Sequence, residues 1–146
     1  MRRFLLLALT AGIALPIIAC SSKKETSANV EPVVVETLIS TAESWNGDSY
    51  DYPKGKAQMT LQRITAQPGF KTPLHFHSQP GIAYVVKGNL ACGDLNGKSL
   101  KVAPGESFAT PQDSVHYCES VGSEAALVFV TSAGVKGQKL TLPYKK

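Results

Sequence analysis

From residue 57 onward the chain is a succession of short apolar or alternating runs cut by Gly, Pro, Asn and Asp, and this punctuation is what most constrains its fold. No run sustains the 3.6-residue periodicity of an amphipathic helix, whereas several alternate with the period of two that a half-buried strand requires. The candidate strands are 33–38, 57–65, 74–77, 82–86, 89–93, 99–102, 107–109, 115–119 and 126–131. Short strands at such regular spacing predict an all-β sandwich or barrel. The intervening residues agree: Lys87-Gly88-Asn89, Leu95-Asn96-Gly97 and Ala103-Pro104-Gly105 are turn sequences, and Asn96-Gly97 is a strong hairpin signal. Residues 44–56, rich in Gly, Asp, Tyr and Pro, are expected to form a loop over one edge or mouth of the barrel.

The first residues have a different character. Arg2 and Arg3 precede an apolar run interrupted by Gly12 and Pro16 and ending Ile17-Ile18-Ala19-Cys20. A run of this length is short for a membrane span, which needs about 20 apolar residues, and suits a cleaved leader over 1–19. The ending resembles a bacterial lipoprotein lipobox. The resemblance implies Cys20 as the acylated first residue, anchoring an extracytoplasmic protein to a membrane. Ser21 after the cysteine fits the periplasmic side of an outer membrane, where the host has two membranes. Residues 20–32 carry almost no apolar side chains and read as a polar tether, leaving 33–146 as a single domain. Without Arg2 and Arg3 the chain holds 13 basic and 11 acidic residues, a balance that gives no argument for a nucleic-acid partner.

The whole histidine content of the chain, His75, His77 and His116, falls in two of the strand segments. On a strand His75 and His77 share a face while Phe76 points away, and a third histidine from a neighbouring strand would complete a facial set of imidazoles. Three neutral imidazoles with open positions left over suit a divalent transition ion in a reactive site.

Around these histidines the spacing becomes specific. Gly69, five residues, His75, one residue, His77 and then Gly88, followed by Gly105, five residues, Pro111 and then His116, resembles the two motifs of the cupin superfamily. The resemblance covers roughly residues 69–120 and implies a jelly-roll barrel with a metal inside its mouth. The chain departs from the pattern at three places. Gly81 stands where the family's glutamate ligand falls, with Ile82 the only other candidate; Asp113 replaces a glycine and Ser120 an asparagine. Asp tolerates a left-handed turn, so that change is mild. The missing glutamate leaves the ion with its full charge and favours anionic ligands in its open positions.

The ligand pattern is similar to that of cupin dioxygenases that cleave thiols or diketones with iron held by three histidines. An oxygenase would use iron; zinc, nickel and manganese are the other ions such a site admits. A zinc site would lower the pKa of a bound water and suit hydrolysis, although Glu106, Asp113 and Glu119 read as turn or rim residues and Glu119 points outward by parity. The expected ligand is a small organic anion, such as a thiolate, enolate, carboxylate or dicarboxylate. A non-catalytic binding or sensing module is the alternative, and a homodimer is admitted. Arg63 and Lys71 are expected on the surface. Ala83, Val85, Met59, Phe108 and Phe129 are the candidate pocket-wall residues, with Trp45, Tyr50 and Tyr52 packing on the barrel edge or closing its mouth.

Cys92 and Cys118 remain once Cys20 is set aside. In an extracytoplasmic compartment they favour a disulfide. The cupin topology implies that their strands are neighbours. By parity Cys118 shares a face with His116, so the bridge would lie inside the barrel.

Overall fold

The computed structural model describes residues 32–145; the leader, Cys20 and the tether up to residue 31 lie outside the described residues. Nine strands are described: β1 (Ala57–Ala66), β2 (His75–Phe76), β3 (Gly81–Lys87), β4 (Asn89–Asp94), β5 (Ser99–Val102), β6 (Ser107–Thr110), β7 (His116–Val121), β8 (Ala126–Val135) and β9 (Leu142–Pro143). They form a four-stranded sheet in the order β1-β8-β3-β6 and a five-stranded sheet in the order β5-β4-β7-β2-β9. Every pairing between strands is antiparallel. This is the all-β jelly-roll architecture expected from the sequence.

The alternation of side chains builds the interior. Ala83 and Val85 on β3 are fully buried, while Ile82 and Val86 on either side of them are exposed. With Leu90, Cys92, Val102, Phe108, Ala126 and Val128 they form the core between the sheets. At the β3–β4 turn Gly88 has a φ of 69°, and a Cβ there would come within 2.7 Å of the Ala126 backbone, so both conformation and close approach require glycine. The β4–β5 hairpin forms at Leu95-Asn96-Gly97, but only Gly97 is left-handed (φ 84°). Asp94 N–H donates to the Lys98 carbonyl at 3.1 Å, which makes this a three-residue loop closed by a glycine rather than a two-residue primed turn.

Some expected elements differ. Residues 33–38 form no strand: Val33, Val34 and Val35 are 74, 81 and 86% exposed, because β-propensity is expressed only where a neighbouring strand completes the ladder. The segment 74–77 narrows to His75–Phe76, bounded by Pro73 and Pro80, which cannot donate to a ladder. The short β9 is an addition; its Pro143 is tolerated because β9 is the edge of its sheet. The loop 44–56 covers β6 at the other sheet's edge. There Trp45 N–H donates to the Ala109 carbonyl at 3.0 Å and the Tyr50 hydroxyl donates to the Thr110 carbonyl. Asn46, 2% exposed, anchors it with side-chain bonds to Asp48 and Ser114. None of the three aromatics lines the main cavity; Trp45 and Tyr50 pack on the edge, and Tyr52 is 84% exposed.

Candidate metal centre

His75 on β2 stands directly opposite His116 on β7, and His77 follows two residues after His75 on the same face. Their ligand nitrogens lie within 4.8 Å of one another, with ring centroids 4.5 to 5.1 Å apart. The backbone sets the tautomer of each ring. Nδ1 of His75 is 2.7 Å from the Pro73 carbonyl, Nδ1 of His77 is 2.8 Å from the Leu140 carbonyl, and Nδ1 of His116 is 2.9 Å from the Ser114 carbonyl. A carbonyl only accepts, so Nδ1 carries the proton in each case and Nε2 keeps its lone pair for the shared centre.

Burial favours the neutral form of His116 and His77. It pushes the pKa of His116 down to about 4, against the raising effect of the Ser114 carbonyl, with the two neighbouring histidines adding to the drop and Asp94 opposing it. Burial likewise lowers His77, partly offset by the Leu140 carbonyl. Neutral imidazoles with fixed tautomers are the form a metal requires, and the donor set fits a divalent transition ion.

The histidines line a cavity of about 400 Å³ enclosed by both sheets. Ala83 and Phe108 are in its wall, as expected. Val85, Met59 and Phe129 are not: Val85 is buried in the core, Met59 is 66% exposed, and the cavity face of β1 and β8 includes Gln62, Ile64, Val128 and Val130. Strand register is the reason, since the residues flanking Phe129 point inward and leave its ring on the other face. No Asp, Glu, Lys or Arg lines the cavity. Asp94 stands opposite His116 on β4, but one carboxylate oxygen accepts from the N–H groups of Asn96 and Lys98. Glu106 accepts from the Ala103 N–H in an exposed turn, Asp113 holds the left-handed turn (φ 52°), and Glu119 does not reach the cavity. Arg63 is exposed, and the Lys71 ammonium lies 3.7 Å over the Tyr117 ring rather than on the site.

At the place of the absent carboxylate, Gly81 faces Thr110 and Ser132 across the sheet. A Cβ on Gly81 would lie 2.7 Å from the Thr110 hydroxyl and 3.0 Å from the Thr131 carbonyl. A side chain at position 81 would therefore crowd neighbouring polar groups. Cys92 and Cys118 are directly opposed on β4 and β7 and are joined by a disulfide, with Cys118 in the cavity wall. The Leu140 carbonyl, which holds both His77 and the buried Gln79 amide, carries no sequence signal, because it approaches from more than sixty residues away.

Residues 62–132 match the family model described as the cupin domain. No curated protein matches the chain. Among solved structures, the polyketide cyclase RemF from Streptomyces resistomycificus is 21% identical over 68% of this chain and 70% of its own, with a TM-score of 0.52. The DMSP lyase DddQ from Ruegeria pomeroyi is 14% identical over 58% of this chain and 42% of its own, with a TM-score of 0.51. An oxalate oxidase in complex with the substrate analogue glycolate is 30% identical over 52% of this chain and 42% of its own, with a TM-score of 0.48. The chain spans less than half the length of the lyase and the oxidase, and the likeness to the cyclase and the lyase is one of fold. Over residues 62–132 the chain is similar to the cupin domain, and the jelly-roll sheets and the converging histidines agree with that likeness.

Proposed function

We propose that the chain is a lipid-anchored, extracytoplasmic cupin lipoprotein that binds a divalent transition metal through Nε2 of His75, His77 and His116 and oxygenates a small chelating anion. The observation that carries the reading is the convergence of three tautomer-fixed histidines on a cavity lined by no charged side chain. An ion there would be the cavity's one concentrated charge, and an anionic ligand its natural partner. Iron in such a site would supply redox chemistry with dioxygen. The protein's own part is to orient the ligand and hold it in an apolar enclosure. The anchor rests on the sequence ending at Cys20, and acyl chains on that residue would place the domain at a membrane surface.

Metal analysis of protein purified from its native compartment tests the centre. Iron, zinc, nickel or manganese is expected to co-purify, and metal at a hundredfold excess over its Kd raises the unfolding free energy by about 2.7 kcal/mol. A metal-free protein whose melting temperature responds to none of these ions would overturn the proposal. With iron present, oxygen consumption is measured against thiols, diketones and small carboxylates. Uniform inactivity would instead favour a binding or sensing module built on the same site. Mass analysis of the mature N-terminus tests the anchor, with unmodified Cys20 the refuting result.

A further inference from the structure

Ser120 lies in the cavity wall and is 1% exposed. Its backbone is satisfied: its N–H donates to the Phe70 carbonyl at 2.9 Å and its carbonyl accepts from the Gly69 N–H at 2.8 Å. Its hydroxyl has no partner. Among the described residues the other buried side-chain group in that state is the Trp45 indole N–H, which does not line this cavity. A buried hydroxyl without a partner destabilises a fold unless something else meets it. A residue with no polar atom would fill the position without that cost.

The position also sets a length. His116, Cys118 and Ser120 alternate onto one face of β7, which places Ser120 roughly 13 Å along the strand from His116. Cys118 lies between them on the same face of β7, and Ile64, Ala66, Phe70, Leu90 and Val128 are apolar members of the same cavity wall. We infer that Ser120 is a specificity-determining ligand contact, selecting elongated monoanions that carry a metal-binding head, an apolar body and an uncharged polar end. The inference rests on the metal reading above, because the histidines define where the head binds. It also narrows the ligand class: with no cationic side chain in the wall, a second carboxylate at the Ser120 end would be buried unpaired, so dicarboxylates are disfavoured.

The test uses the full-length protein in detergent, loaded with zinc, and calorimetric titration with 2-oxoheptanoate, 7-hydroxy-2-oxoheptanoate and 2-oxoheptanedioate. The hydroxylated probe is expected to bind about tenfold more tightly than the unsubstituted one, as one buried hydrogen bond provides, with the dianion weakest. Ser120→Ala is expected to abolish the tenfold preference. The same variant should melt at or above the wild-type temperature, because it removes an unpaired polar atom. A preference unchanged in Ser120→Ala overturns the inference while leaving the metal site standing. So does a lowered melting temperature, which would show that the hydroxyl has an internal partner. If zinc itself fails to bind, the metal reading falls and this inference with it.

Discussion

At pH 5 the metal-free protein is expected to be less stable than at pH 7.5 by about 2 kcal/mol through His116 alone. The side chain is 2% exposed, and burial holds its pKa near 4 in the folded state against about 6.5 in the unfolded chain. A folded pKa below the unfolded one means that protons prefer the unfolded state. The contribution of neutral His116 is therefore fully present above pH 6.5, declines as the pH falls towards 4, and is constant below. At pH 5 the unfolded histidine is stabilised by protonation roughly 30-fold more than the folded one, which is about 2 kcal/mol. His77, lowered in the same direction, adds to the loss. Urea unfolding of chelator-treated protein at the two pH values, with the disulfide intact, measures the difference. His116→Asn removes the titrating group, and the carboxylates contribute equally to both proteins. The pH-dependent loss should then shrink by about 2 kcal/mol in the variant. Equal losses in the two proteins would refute a buried, neutral His116.

Replacing Cys92 and Cys118 together by Ala should lower the unfolding free energy by about 3.5 kcal/mol in the chain-entropy account, given a sequence separation of 26; free thiols found by non-reducing mass mapping of the native protein would remove the premise. Gly81→Glu should destabilise by about 1 to 3 kcal/mol without tightening metal binding, since its Cβ meets Thr110 and the Thr131 carbonyl. Adding Thr110→Ala should recover part of that loss in a thermal melt, and a single variant as stable as wild type would contradict the crowding. Asn46→Ala should cost about 2 kcal/mol and open residues 44–50 to limited proteolysis, because the Asn46 side chain ties that loop to Ser114; an unchanged cleavage pattern would show that the loop is held by its backbone alone.

Much of the site was legible because the relevant patterns are local. His75 and His77 share a face by strand parity, and Gly88, Gly97 and Asp113 occupy the turns their residue types suit. Cys118 falls on the inward face of β7 for the same reason as His116. Where the reading failed, the missing information was register. Met59 and Phe129 are as apolar as Ile64 and Val128, and only the pairing of β1 with β8 decides which set faces the cavity. Residues 33–38 have the composition of a strand and no strand to pair with.

By itself the sequence determined the fold class, the turn positions and the identity of the three candidate ligands, because each follows from residue type and spacing over a few positions. Only the tertiary structure decided what surrounds them. The Leu140 carbonyl that orients His77, the Thr110 hydroxyl in the space beside Gly81, and the unpaired Ser120 hydroxyl at the far end of the cavity all depend on how strands distant in the chain are brought together. Sequence periodicity specifies which way a side chain points; the register between strands specifies what it meets.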